Sequence, residues 1–205
     1  MVDRPGAQAF VPPDGDIASL RGAVHGCRGC ELWAPATQAV FSAGPETAEM
    51  VLIGEQPGDV EDREGQPFVG PAGRVLREAL ADADIDPASV YVTNAVKHFR
   101  FVERGKRRLH KKPTVAHIRA CEPWLDAEFA AVRPGLVVCL GATAARACLG
   151  REVAVGQVRG RVLDETPPVV VTAHPSSVLR LRGRDGWEQA YEALVTDLRA
   201  AASAL

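Results

Sequence analysis

Long hydrophobic runs are missing from this 205-residue chain. No stretch of about 18 consecutive apolar residues occurs, so nothing reads as a membrane-spanning helix. Residues 1–15 hold Pro, Asp and Gly but no apolar signal core, which argues against secretion. Cysteine is scarce and odd in number, five residues, so a disulfide scaffold is not expected. Together these absences point to a reducing cytoplasm, where paired cysteines more often hold metal. Internal repeats and low-complexity blocks are absent as well. What is present is ordinary: 46% hydrophobic and 24% charged residues, a balance that excludes disorder as the main state. At about 150 residues per domain the length suits one domain. The expectation is a loose leader over 1–15 and a single domain over 16–205.

The net charge of −2 makes the chain as a whole a poor polyanion binder. Its distribution says more. Between Lys97 and Lys112 stand eight Lys or Arg and one acid, Glu103, a local +7 against −9 for everything else. A concentrated cationic segment on an acidic body suggests an anion-binding surface. The competing reading is a solvated charge run.

Apolar periodicity predicts alternating strands and helices. A short helix runs from Ile17 to His25, with Asp16 as its N-cap. Strands are expected at Met50–Gly54, Val90–Thr93, Leu136–Leu140 and Val169–Ala173. Helices are expected at Ala72–Asp82, Thr114–Val132, Thr143–Leu149 and Trp187–Ala202. The cationic segment reads as a long loop. The strands are continuous apolar runs, the pattern of a parallel sheet covered by helices on both faces, hence an α/β fold. In such sheets ligands sit beyond the carboxyl ends of the strands. Glu55, Asn94, Gly141 and His174 should therefore converge on one crevice.

Gly54-Glu55-Gln56-Pro57-Gly58-Asp59 follows the first strand, and Gly65 to Gly73 opens the next helix. The glycines let backbone approach a ligand. The loop lacks the Lys of a phosphate loop, and its Gly spacing is not the dinucleotide fingerprint. Cys27 and Cys30 stand at the spacing with which two thiolates reach one metal or cluster. Cys121 and His98 complete a candidate ligand set, for zinc or an iron–sulfur cluster. Cys139 and Cys148 read as small buried core residues.

The run Gly54-Glu55-Gln56-Pro57-Gly58, then Glu61-Asp62, then Gly65-x-Pro67-Phe68-Val69-Gly70, resembles the first motif of the uracil-DNA glycosylase superfamily. His174-Pro175-Ser176-Ser177 resembles its second motif, and Asn94 the uracil-reading Asn. The Cys-x2-Cys, Cys121 and the Leu140-Gly141-Ala142-Thr143-Ala144 stretch are similar to the iron–sulfur, family-four branch. That branch usually has Ala in place of Gln56 and Cys in place of His98, and it lacks the inserted Lys106-Arg107-Arg108-Leu109-His110. These departures resemble the UdgX-type subfamily, with Leu109 where its loop has Ile.

The resemblance implies a three-layer α/β/α sandwich around a central four-stranded parallel sheet. It implies a 4Fe–4S cluster on Cys27, Cys30, His98 and Cys121. It implies a protein of the bacterial cytosol or nucleoid that excises uracil from DNA; the lower cost of flipping favours single-stranded DNA, and a monomer is the expectation for a DNA-repair domain of this size. Substrate contacts fall at Gly54, Gln56, Asp59, Phe68, Asn94 and Ser176. His174 would stabilise charge on uracil O2, and His110 would attack the sugar and stay bonded to it. Glu55 would either orient His110 or stabilise positive charge. Arg107 would position the loop. Lys106, Arg108, Arg180, Arg182 and Arg184 would hold phosphates. The competing functions are a turnover glycosylase that uses an activated water and a metal-bearing nucleic-acid-binding module without catalysis.

Overall fold

The computed structural model describes residues 4–205. Its elements, in order, are α1 (Ile17–Val24), β1 (Met50–Gly54), α2 (Asp59–Glu64), α3 (Pro71–Asp82), β2 (Tyr91–Asn94), β3 (Phe101–Arg104), β4 (Arg107–His110), α4 (Val115–Val132), β5 (Leu136–Leu140), α5 (Ala142–Leu149), α6 (Val155–Val158), β6 (Val162–Leu163), β7 (Val169–Thr172), α7 (Pro175–Leu179) and α8 (Trp187–Ala202). Strand order in the main sheet is β2-β1-β5-β7-β6. The first four strands are parallel, as expected. Two-residue β6 adds an antiparallel edge that the sequence reading missed. At two residues it is too short to display any periodicity.

The continuous apolar strands are explained by layers on both faces. Val51 and Ile53 of β1 and Val137 and Cys139 of β5 join one core with Leu20, Trp124 and Ala144. The alternate residues Met50, Leu52, Leu136 and Val138 join a second core with Val75, Leu76, Leu194 and Leu198. Thus α1, α4 and α5 cover one face, and α3 and α8 the other. Burying a Leu or Val contributes about 1.5–3 kcal/mol, and these strands bury side chains on both sides. Asp16 caps α1 as expected, accepting from Ser19 N at 2.8 Å.

Several expectations need correction. The cationic segment is not a long loop: β3 and β4 form an antiparallel hairpin, with Phe101 opposite His110 and Gly105 at the turn. Its strands are mostly exposed and charged, so no apolar alternation betrayed them. The described part of the leader, 4–15, is packed rather than loose. Ala7 is buried, Gly6 N and Ala7 N donate to Gly29 O and Ala120 O, and Arg4 pairs with Glu31. Residues 1–3 lie outside the described residues. Cys139 is buried as expected, but Cys148 is only partly so.

Candidate active site

The carboxyl ends of β1, β2, β4 and β7 meet at a cleft of about 490 Å³. Glu55, Gln56, Phe68, Asn94, His110, His174, Ser176 and Arg180 line it, with Gly58, Glu61 and Ala72. Of the four residues expected to converge, Glu55, Asn94 and His174 line the cleft; Gly141 does not, and packs against the His174 side chain instead. His110 reaches the same cleft because the hairpin folds over it.

Phe68 forms one wall, its ring stacked on His174 at 6.4 Å and 29°. Its backbone sits in the left-handed region, φ 56°, uncommon for a bulky residue. Arg77 Nη1 donates to its carbonyl at 2.9 Å. The close packing of Gly73 under that carbonyl leaves no room there for a Cβ. Gly54 is required for a related reason. A Cβ at Gly54 would collide with Asn94 Oδ1 and the Phe68 ring. The missing side chain leaves a slot between a flat apolar ring and a buried amide.

His174 starts α7. Its Nδ1 accepts from Ser176 N at 3.1 Å and lies 2.8 Å from Ser176 Oγ. With Nδ1 accepting, the proton of the neutral ring belongs on Nε2. Burial, with the charges of His110 and Arg180 added, lowers the His174 pKa to about 4. The ring is thus a neutral N–H donor near pH 7, suited to an oxyanion that develops during reaction.

Opposite, His110 Nε2 lies 3.4 Å from Glu55 Oε1, and its side chain is 48% exposed. Burial in the cleft lowers the His110 pKa; Arg180 adds to this and Glu55 opposes it. The Thr143 hydroxyl donates to the other Glu55 oxygen, a contact the sequence reading missed. The Thr143 stretch was visible as a motif, but nothing in it signalled a partner 88 positions away.

Gln56 lines the cleft, and its amide also has a structural role that the sequence reading missed. Nε2 donates to Arg100 O at 3.1 Å and Lys111 O at 3.3 Å, and Oε1 accepts from Arg100 N at 3.1 Å. Gln56 thereby ties both flanks of the hairpin to the loop after β1.

Asp59 and Arg108 also depart from expectation. Asp59 lies outside the cleft lining and pairs with Arg63 and Arg108. Arg108, 14% exposed, bonds Asp59 Oδ1 at 2.5 Å and fully buried Asp62 at 2.6 Å. Its guanidinium also sits 5.0 Å from the Phe101 ring centroid. Arg108, rather than Arg107, thus ties the hairpin to Asp59 and Asp62, and these pairs occupy its guanidinium. The expected roles were the reverse, Arg107 positioning the loop and Arg108 holding phosphate; strand alternation decides which of two adjacent residues points inward. Lys106 and Arg107 stay exposed. Arg182 sits over the Trp187 ring at 5.4 Å, away from the cleft lining.

The candidate metal ligands lie apart from the cleft. Cys27, Cys30, His98 and Cys121 are all buried. Burial raises the Cys121 pKa to about 12. Trp124 Nε1 donates to Cys27 Sγ and Lys97 N to Cys121 Sγ, both at 3.3 Å. Burial lowers the His98 pKa to about 4, leaving a neutral imidazole able to ligate. Among the described residues, no three His, Cys, Asp or Glu side chains close into a metal-sized cage. No helix is long and apolar enough to cross a membrane among the described residues.

A sequence profile described as the uracil DNA glycosylase superfamily matches residues 41–199. The chain is 35% identical over 173 residues to a type-4 uracil-DNA glycosylase of Thermotoga maritima, covering 83% of this chain and 85% of that protein. It is 33% identical over 165 residues to the type-4 enzyme of Archaeoglobus fulgidus, covering 76% and 79%. A type-4 enzyme of Pyrobaculum aerophilum is 31% identical over 180 residues, covering 82% and 88%.

Proposed function

The chain belongs to the uracil DNA glycosylase superfamily, and from that premise we propose that it excises uracil from DNA in base-excision repair and links itself to the abasic site through His110. Uracil in a stacked duplex is out of reach, so the nucleotide is flipped out. Flipping costs least in single strands, which makes single-stranded DNA the preferred substrate. Exposed Lys106 and Arg107 on the hairpin and Arg180 at the cleft hold phosphates. Arg182 and Arg184, just after the second motif, extend that contact.

The flipped ring stacks on Phe68. The Asn94 amide both donates and accepts, which matches uracil O4 and N3–H. Cytosine would leave these buried groups unpaired, the strong form of discrimination. As the glycosidic bond breaks, its electron pair leaves on uracil, and His174 Nε2–H stabilises the charge on O2. The sugar becomes oxocarbenium-like, with the Glu55 carboxylate beside it.

The observation that carries the covalent step is the position of His110 Nε2, 3.4 Å from Glu55 Oε1. That is where a carboxylate of a hydrolytic glycosylase would hold its water. The Nε2 lone pair forms the bond to C1′, and the resulting imidazolium sheds its Nδ1 proton to solvent. The departing uracil anion takes up a proton in balance. A fixed imidazole outcompetes water by orientation. With no good leaving route back, one protein is consumed per lesion. The His110-bearing insert and the Gln56 clamp support a UdgX-type assignment within the superfamily.

A 4Fe–4S cluster on Cys27, Cys30, His98 and Cys121 is part of the same reading. The donor chemistry supports it: three buried thiols, N–H groups aimed at two of the sulfurs, and a neutral imidazole. The cluster would staple the Cys27 turn, the loop after β2 and α4 together. We read the protein as a monomer of the cytosol or nucleoid.

Incubation with uracil-containing single-stranded DNA, then a denaturing gel, tests the proposal. A band resistant to heat and detergent is expected. Multiple turnovers with free abasic product would instead establish the water-using reading.

A further inference from the structure

Lys97 opens the cationic segment, yet its side chain is 0% exposed, facing a Glu128 carboxylate that is 1% exposed. All three donors of an ammonium are engaged. Nζ donates to Glu128 Oε2, to Thr93 Oγ1 at 2.7 Å and to the Asn94 carbonyl at 3.0 Å. Glu128, on α4, accepts from Thr93 Oγ1 at 2.8 Å on its other oxygen, with the Tyr91 hydroxyl 2.9 Å away. Phe41 closes the enclosure, its ring centroid 5.4 Å from Nζ.

Such a pair is a poor source of stability. Removing two charges from water costs several kcal/mol per ion, and apolar residues of similar volume often serve as well. What apolar residues cannot do is grip a carbonyl. The carbonyl gripped here belongs to Asn94, whose side chain faces the slot left by Gly54. From the front, Ala95 N and Val96 N bond Gly54 O and Glu55 O at 3.0 and 3.1 Å. From behind, the Lys97 ammonium folds back on its own turn and holds the carbonyl of Asn94, the residue just before them.

We propose that the buried Lys97–Glu128 pair is a specificity-determining positioning device, holding the Asn94 main chain so that its amide meets the edge of the flipped base. This rests on the reading of Asn94 as the base-reading residue. The step it governs is base recognition; the pair touches neither substrate nor reacting atoms.

The test is single-turnover uracil release from single-stranded DNA, read as a maximal rate and a half-saturating DNA concentration. The double variant Lys97→Met with Glu128→Met leaves no orphaned charge. Its maximal rate is expected to fall by about tenfold or more, as for a badly paired buried amide. Half-saturation should move by less than about twofold, because phosphate contacts are untouched. Thr93→Val, which removes one link, should lower the same rate by less. Asn94→Ala is measured alongside. If Asn94→Ala is inactive while the double variant works at the wild-type rate, the pair has no positioning role. If Asn94→Ala itself works normally, the reading of Asn94 falls, and the proposal with it. Should the double variant fail to fold, Thr93→Val decides alone: an unchanged rate overturns the proposal.

Discussion

Gln56 and Arg100 hold each other twice, side-chain Nε2 to backbone O and backbone N to side-chain Oε1, each at 3.1 Å. A third bond, Nε2 to Lys111 O at 3.3 Å, takes in the residue next to His110. One amide thus closes the base of the hairpin and sets where the His110 ring can stand. Gln56→Ala is expected to release the hairpin. Misplacement of a reacting group by about 1 Å can cost 10²-fold. The covalent adduct should therefore fall by about one to two orders of magnitude. Uracil release should suffer less, because Asn94, Phe68 and His174 are untouched. Adduct on a gel, compared with free uracil from the same reaction, gives the ratio.

His110→Ala should abolish the adduct and leave the base-binding slot intact. Persistence of the heat-resistant band would identify a different nucleophile.

Arg107 and Arg108 should separate cleanly. Arg108→Ala leaves fully buried Asp62 without its cation. Breaking a buried pair costs about 3–5 kcal/mol, so thermal unfolding should shift down markedly. Arg107→Ala should leave melting unchanged, weaken DNA binding across sequences and reduce the salt slope by about one phosphate contact. Melting curves and a salt titration of binding check both.

The pH dependence follows from His110. Its imidazole attacks only when neutral, and burial puts its pKa below the ordinary value of about 6.5. Adduct formation should hold level from pH 8 down to about 6.5 and decline only below that. His174, with a pKa of about 4, remains a neutral donor throughout that window. A decline already complete at about pH 7 would show that His110 is not neutral where the structure holds it.

Gly54→Ala should remove uracil excision while the protein still folds. The added methyl would occupy the volume where Asn94 Oδ1 and the Phe68 ring approach the base. Loss of activity with an unchanged circular dichroism spectrum is the expected result.

Much of this molecule could be read from local pattern alone. The four apolar runs became parallel strands, because a strand covered on both faces must be apolar at every position. Glu55, Asn94 and His174 converged because each stands at the carboxyl end of one of those strands. Pairings between distant charged side chains carried no such periodic signal. Lys97 looked like one cation among eight until α4 brought Glu128 beneath it. Arg107 was expected to position the loop, but strand alternation turned Arg108 inward to Asp59 and Asp62 instead. Gln56 looked like a ligand contact alone until the hairpin flanks took up its amide. Local composition sets which segments must be buried; which polar partner meets each buried donor is settled only when the chain closes on itself.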